Sequence, residues 1–388
     1  MEKKISYCPY RVCPLGAHVD HQLGLVTGFA VDKGVKLTYE ITTDGTVDII
    51  SKNLPGHCKF HVNQLPEREY VWSDYVVGAV WALNHRQTNE RNFTPSLIRY
   101  GIKGVVEGTL PVGGLSSSAA VIITYINAFC EANGISLSKE ELINLAIMEE
   151  RKFIGLNVGR LDQSCEVYCQ KDKLLYLDTQ TNSYELAVPG EEMDPFEIAI
   201  IFTGKSRRLV SSAYNARVDE CKAAAYAMKA YSGMDYGKMQ DSYLREIPKS
   251  IYDHYKDKLP TSWRKRVKHF YSENQRVRDG VDAWKRGDLA VFGQLMKESG
   301  YSSIYSYETG SDELKTMYEI ICEAPGVYGG RFSGAGFNGS SIAIIHPNAR
   351  NDFKQFMREK YLAVFPELEQ EFSIEFCKTA DGVQMRGI

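Results

Sequence analysis

Apolar and polar positions alternate between Val35 and Ile49. Val35, Leu37, Tyr39 and Ile41 share one face, Asp44-Gly45 supplies a turn, and Val47 and Ile49 resume the alternation. A period of two predicts strands buried on one face, and the short turn predicts that they pair as a hairpin. From Ser116 the pattern changes: small residues open a run in which Ala119, Val121, Ile122, Ile123, Ile126 and Phe129 have the density and length of a well-buried helix, ending near Asn133-Gly134. Ser138 and Glu141 have the spacing of a capping box, which starts a further helix running to about Phe153. After Pro189 the pattern gives an apolar strand over 198–202, several helices between Ser211 and Cys322, a strand over 341–345 and a last one over 372–376. Strands and helices in this mixed order predict an α+β protein in two lobes, and no repeat, low-complexity tract or long linker separates them.

Composition narrows the partners. Acidic residues number 49 and basic residues 46, a net charge of -3 over 388 residues, which removes the electrostatic case for binding nucleic acid or an anionic membrane. A small molecule or a protein remains. With 44% hydrophobic and 24% charged residues the chain reads as folded and globular rather than disordered, collagenous or coiled-coil, long enough for two or three domains. Neither a secretory apolar block nor a membrane-length apolar run occurs, and nine cysteines, an odd number spread from Cys8 to Cys377, read as reduced buried thiols in a soluble cytoplasmic protein. His57, Cys58 and His61, like His18 and His21, lack a second pair at ligand spacing, so zinc is not expected.

Three segments do not look like ordinary loops. Pro111-Val-Gly-Gly-Leu-Ser-Ser-Ser-Ala-Ala120 feeds two glycines and three serines into a helix start, where free amides, hydroxyls and the helix dipole suit a phosphate. A serine-capped helix would account for the glycines and one serine, but not for three, and the sequence contains no Walker-type GxxxxGK[ST]. Arg331 to Ser341, with three glycines before a strand, is a common connector by itself and a second pocket wall when paired with the serine cradle. Arg11-Val-Cys-Pro-Leu-Gly-Ala-His-Val-Asp-His21 concentrates directional polar groups suited to a polar ligand, against a solvated turn as the plainer reading.

Two acids depart from their surroundings. Leu142, Ala146, Glu150 and Phe153 share a helix face, which places Glu150 on the apolar stripe and lets Glu149 point to water. A carboxylate there needs a cation, and a metal and a buried Arg or Lys are both open. Asp162, after the glycine-containing break from Gly155 to Gly159, either reaches into a cleft or caps a helix.

Together the three segments resemble the GHMP small-molecule kinases, and within them the galactokinase branch. GGLSSSAA is similar to the family's phosphate motif, GRFSGAGFNG to its C-terminal glycine motif and RVCPLGAHVDH to the galactokinase sugar signature; WSDYVVG from Trp72 and SSAY ending at Tyr214 extend the likeness over most of the chain. The resemblance implies an α+β, two-lobed fold, with a ribosomal S5 domain 2-like lobe over 1–190, a ferredoxin-like lobe over 191–388 and the active site between them. It implies ATP and Mg2+ as cofactors and no nucleic-acid or membrane partner. Asp162 matches the catalytic aspartate and Arg11 the arginine beside it. Gly113, Gly114, Leu115, Ser116, Ser117, Ser118 and Ala119 match the phosphate loop, and Trp72 the tryptophan beside adenine. Ser118 and Glu150 match the magnesium pair. Ala17, His18, Asp20, Gly159, Tyr214, Gly334 and Gly336 fall at sugar-pocket positions.

One departure carries information. Galactokinases have Glu where this chain has Ala17, and that Glu binds the hydroxyl on C6 of galactose. With a carboxylate at C6 instead, a Glu would set two anions in contact at a cost of several kcal/mol in a poorly hydrated pocket, whereas Ala leaves room without repulsion. The chain is also more similar to galacturonokinases in PYRVCPLGAHVDHQ, SAYNARVDEC, FYSENQRVRDG and EAPGVYGGRFSGAG. The expected activity is therefore phosphorylation of the anomeric hydroxyl of D-galacturonate, with Arg160, Arg207, Arg208, His21 and Tyr214 as unranked partners for its carboxylate. Galactose or another C6-modified hexose is the alternative substrate. A non-catalytic sugar and nucleotide sensor is the alternative from another class, and the intact Ser116 to Ser118, Glu150, Asp162 and Arg11 stand against it.

Overall fold

A computed structural model of the protein describes residues 2–86, 98–110, 115–205, 212–336 and 339–384. The first half of the chain builds one twisted sheet. Strands β1 (Lys4–Val12), β2 (Leu25–Thr42), β3 (Thr46–Ser51) and β4 (His57–His61) precede helix α1 (Asp74–Asn84) and strand β5 (Gly101–Gly108). Helices α2 (Ser117–Asn133), α3 (Lys139–Met148) and α4 (Leu161–Tyr168) follow, then strands β6 (Leu174–Asp178) and β7 (Tyr184–Ala187). Among the described residues the strand order is β4-β3-β5-β2-β6-β7, with β1 also on β2. The long β2 is therefore the hub of this sheet.

The alternating segment forms strands where expected, with Val35, Leu37, Tyr39, Val47 and Ile49 buried, but the hairpin is corrected. β2 and β3 do not pair, because β5 lies between them, antiparallel to β2 and parallel to β3. The short link after Thr42 steps across the roughly 10 Å occupied by that inserted strand. The helix predicted from Ser116 is α2, and Gly134 ends it in a left-handed conformation at φ 64°. The capping box is present: Ser138 Oγ accepts from the Glu141 amide, and Glu141 accepts from the Ser138 amide. The helix it starts departs from the expectation at its end. α3 stops at Met148 and the chain continues as a π-helical turn over Glu149–Ile154, closed by Gly155 at φ 84°.

The second half begins with strand β8 (Glu197–Phe202) and helices α5 (Ser212–Ser232), α6 (Lys249–Tyr255), α7 (Thr261–Lys285), α8 (Leu289–Tyr305) and α9 (Asp312–Glu323). Strands β9 (Val327–Phe332) and β10 (Ser340–Ile345), helix α10 (Arg350–Val364) and strands β11 (Ser373–Cys377) and β12 (Thr379–Ala380) complete it. An antiparallel sheet in the order β11-β8-β10-β9 has every residue of β10 buried, the apolar run 342–345 together with Ser340 and Ser341. Met317, Ile321, Phe353, Met357 and Tyr361 of α9 and α10 pack with Ala199, Ile201, Ala343 and Ile345 of that sheet.

The halves are not separate bodies. Trp284 of α7 lies 5.2 Å from Phe29 of β2 and donates to the Ala187 carbonyl. One apolar cluster runs from β1 and β2 through α2 into α7 and α8. β12 returns to pair with Val31 and Ala30 of β2.

Candidate active site

Between the halves lies a cavity of about 1030 Å3. It brings together residues that are far apart in sequence: Arg11, Ala17, His18 and Asp20; Trp72; Ser116 to Ser118; Glu150, Gly159 and Asp162; Tyr214; and Arg331 to Ala335. The glycine-rich segment after β9 does form a second wall opposite the serines. Gly334 lines the cavity, whereas Gly336 is outside the lining and packs behind it on Phe332 and Thr309, so its expected sugar-pocket place is corrected. Leu115 and Ala119 are buried and likewise outside the lining. Gly113, Gly114, Arg207, Arg208 and Ser211 lie outside the described residues.

At the start of α2 the simple cap fails as an explanation. Ser116 sits at φ 62° and makes no side-chain capping bond, and its buried Oγ has no partner among the described residues. Unpaired helix-start amides and an orphaned hydroxyl facing a cavity fit an anion.

Asp162 is also not an N-cap. Arg160 occupies that position, and Asp162 in the first turn of α4 receives Arg11 Nε at 2.8 Å and Nη2 at 2.7 Å, both on Oδ1. Oδ2 is left as the oxygen available to a hydroxyl in the cavity. Arg11 is 4% exposed and reaches Ser333 Oγ at 3.4 Å, which ties the Arg11–Asp162 pair to the segment after β9.

Glu150 is buried, as the apolar stripe predicts, but Glu149 does not point to water. The π-helical turn shifts the angular phase of the two residues so that both acids face inward, and both Glu149 oxygens lack a partner among the described residues. Burial and then the charge of Asp162 raise the pKa of Glu150 to about 7, against hydrogen bonds from Ser118 and Gln163 and the charge of Arg11. A carboxylate that buried, bonded to Ser118 and facing the cavity, fits a divalent cation held by Glu150 and Ser118. Of the two partners left open by the sequence, a buried Arg or Lys is not what the side chain bonds; Gln163 is.

The loop after β1 is shaped by left-handed residues, Gly16 at φ 97°, His18 at 61° and Leu23 at 62°. Asp20 accepts from the Leu161 amide at 3.2 Å, and a Cβ at Gly159 would fall 1.9 Å from its Oδ2, so only glycine fits there. Helix α7 grips the same loop. Glu273 accepts the Gly16 amide at 2.8 Å, and the protonated Nε2 of His269 donates to the Ala17 carbonyl at 2.9 Å. His18 stacks on Tyr307 at 4.5 Å, and burial followed by Arg331 pushes its pKa well below the ordinary range, so it is neutral. Its Nε2 has no partner among the described residues.

Of the candidates for a substrate carboxylate, Tyr214 lines the cavity. Arg160 is engaged by Glu140 and Asn144, and His21 by Tyr307 and Gln22, and neither lines it. The sequence reading missed His269, Glu273 and Tyr307, which reach the loop after β1 only through tertiary packing, and Gln163, whose one sequence-level signal was its place beside Asp162. It also missed Arg68 and Tyr70, whose one sequence-level signal was nearness to Trp72.

Two family models match the chain: GHMP kinases N terminal domain over residues 74–170 and GHMP kinases C terminal over 281–363. The chain is 34% identical to the galacturonokinase of Arabidopsis thaliana, covering 99% of this chain and 94% of that protein. It is 32% identical to the galactokinase of Thermococcus kodakarensis, covering 98% and 99%. The structure resembles that of Lactococcus lactis galactokinase complexed with galactose, with a TM-score of 0.86 and 27% identity over 99% of this chain and 95% of that one. A mevalonate kinase structure shares the fold with a TM-score of 0.63 at 17% identity, covering 97% and 99%.

Proposed function

This chain belongs to the GHMP kinase family, and from that premise we propose that it transfers the γ-phosphoryl group of ATP to the anomeric hydroxyl of D-galacturonate. The observation that carries the choice of sugar is Ala17, a methyl lining the cavity, at the position where the resemblance implies that galactokinases usually have a carboxylate. Two like charges about 4 Å apart repel by roughly 4 kcal/mol at an effective dielectric of about 20, so removing one opens the pocket to a C6 anion. The full-length likeness to a galacturonokinase supports the same reading.

Each catalytic task has a residue. The amides at the start of α2, with Ser116 and Ser117, cradle the ATP phosphates, and Trp72 borders the base. Glu150 and Ser118 would hold a magnesium ion, which would supply charge neutralisation for the phosphates. Asp20, His18, Gly159, Gly334 and Tyr214 surround the sugar. Arg11 fixes Asp162 through Oδ1, and Oδ2 accepts the hydrogen bond of the anomeric hydroxyl, steering its oxygen toward the γ-phosphorus. The new O–P bond forms as the bond to the ADP oxygen breaks, and the proton leaves on the Asp162 side. Phosphoryl transfer asks for alignment and electrostatics of this kind more than for covalent chemistry.

We divide the chain functionally at 190/191 and place the enzyme in the cytoplasm. All nine cysteines are free, and no helix among the described residues is long and apolar enough to cross a membrane.

A sugar panel tests the assignment. Wild type should prefer galacturonate over galactose, and Ala17→Glu should shift kcat/KM toward galactose by at least about tenfold, a floor below the roughly thousandfold that a repulsion of about 4 kcal/mol corresponds to. A wild-type preference for galactose, which the likeness to the Lactococcus galactokinase complex favours, or an unmoved preference in the variant, defeats the reading. Asp162→Asn should reduce kcat by about a thousandfold or more while ATP binding, measured by calorimetry, stays within about twofold.

A further inference from the structure

Residues 62–73 connect β4 to α1 and pass along the cavity, which Arg68, Tyr70, Val71 and Trp72 line. The backbone of this rim is held from below. Buried Asp74 accepts the amides of Glu69 and Val71, both at 3.1 Å. Between them Tyr70 is forced to φ 64°, a conformation that costs a non-glycine residue about 1 kcal/mol, and the residue is 70% exposed. Arg68 stacks over that ring at 4.2 Å and donates Nη2 to Tyr70 Oη at 2.6 Å. Its other terminal nitrogen crosses to the opposite wall. Nη1 donates to the carbonyls of Phe153 at 2.8 Å and Ile154 at 2.6 Å, the last two residues of the π-helical turn.

That turn presents Glu150. Its C-terminal carbonyls are the ones a helix leaves without intrahelical partners, and they carry its negative end, where an arginine fits both by hydrogen bond and by charge. The turn's C-terminal cap is partly local, with the amides of Gly155 and Leu156 returning to the Glu150 carbonyl. The two carbonyls that follow, those of Phe153 and Ile154, are taken up by Arg68 from another segment. The same guanidinium thus belongs at once to the rim beside Trp72 and to the turn that carries the acid facing Ser118.

We propose that Arg68 is a positioning residue that braces the Glu150 turn against the nucleotide-end rim, so that the geometry of the metal–nucleotide subsite depends on a side chain that touches neither metal nor reacting atoms. The proposal rests on the kinase reading above. Its test uses Mn2+ and ADP as probes in place of turnover. Mn2+ binding in the presence of ADP is followed by electron paramagnetic resonance, and galacturonate binding to the same preparations by calorimetry. Partners of this outer kind typically contribute about 10- to 100-fold to metal affinity, so R68A should weaken Mn2+–ADP binding by about tenfold or more, raise KM for ATP in parallel and leave sugar affinity within about twofold. R68K, whose ammonium can serve the two carbonyls but not Tyr70, should recover most of the loss.

Unchanged Mn2+–ADP affinity in R68A overturns the proposal, and so does an equal loss of sugar affinity, which would mark a general structural role. If R68A lacks a cooperative melt, R68Q is read by the same two titrations, and unchanged affinity there overturns it as well. A wild type that binds no Mn2+–ADP at all would instead sink the kinase reading, so the two failures are distinct.

Discussion

At the residue scale the site depends on close approaches that leave no room for an extra atom. Gly159 is the sharpest: a methyl there would lie 1.9 Å from Asp20 Oδ2 and 2.2 Å from its Cγ, and the carboxylate would have to leave the Leu161 amide that now fixes it. Asp20 is expected to contact the sugar, and a displacement of about 1 Å at a reacting site can reduce rate by about a hundredfold. Gly159→Ala should therefore lower kcat/KM for the sugar by one to two orders of magnitude, with ATP affinity by calorimetry nearly unchanged. Equal losses on both substrates would place the effect in the fold instead. Sequence reasoning picked Gly159 from its motif, but the reason that glycine is needed, the carboxylate from a residue 139 positions earlier, exists only in three dimensions.

At the scale of elements, what was legible is what is local. The capping box of α3 is read correctly because Ser138 and Glu141 satisfy each other within three residues, and the strands β2 and β3 because their burial repeats every second residue. Pairing is not local. β5 enters between β2 and β3 from more than fifty residues further on, and the Asp44-Gly45 turn records only that the chain reverses. The π-helical turn escapes for a related reason: a 3.6-residue wheel assigns Glu149 to the wet side, and no residue type marks where the period changes. The capping box carries its own prediction. Ser138→Ala removes the acceptor for the Glu141 amide and should reduce unfolding free energy in urea by about 1 kcal/mol. Because the box lies at the opposite end of α3 from Glu150, kcat should not move; a fall in kcat without a fall in stability would show that the start of α3 has a catalytic role.

For the whole molecule, the loop after β1 and helix α7 of the second half are joined through Glu273 and His269, some 250 residues from the loop they grip. Two buried acids then set opposing pH dependences. Burial is the largest single influence on Glu273 and raises its pKa, but Arg276, His269, Arg331 and the Ser299 hydrogen bond together outweigh it and hold it at about 2. Its unfolded value is near 4.5, so its stabilisation is complete above that pH and is lost as pH falls toward 2. Glu166, raised well above 4.5 by burial and then by Asp162, works the other way. The folded state keeps a proton that the unfolded chain releases, so stability declines as pH rises above about 4.5. Glu166→Gln should therefore gain on wild type between pH 5 and pH 8, by up to about tenfold in the unfolding equilibrium per pH unit, in urea titrations at both values. Glu273→Gln, which leaves Arg331 buried without its counter-charge, should lose about 3 kcal/mol at pH 7, and the gap should close toward pH 3. If the Glu166→Gln gap is the same at pH 5 and pH 8, that carboxyl is ionised in the fold, and the burial that separates the two acids does not control the pH response of the protein.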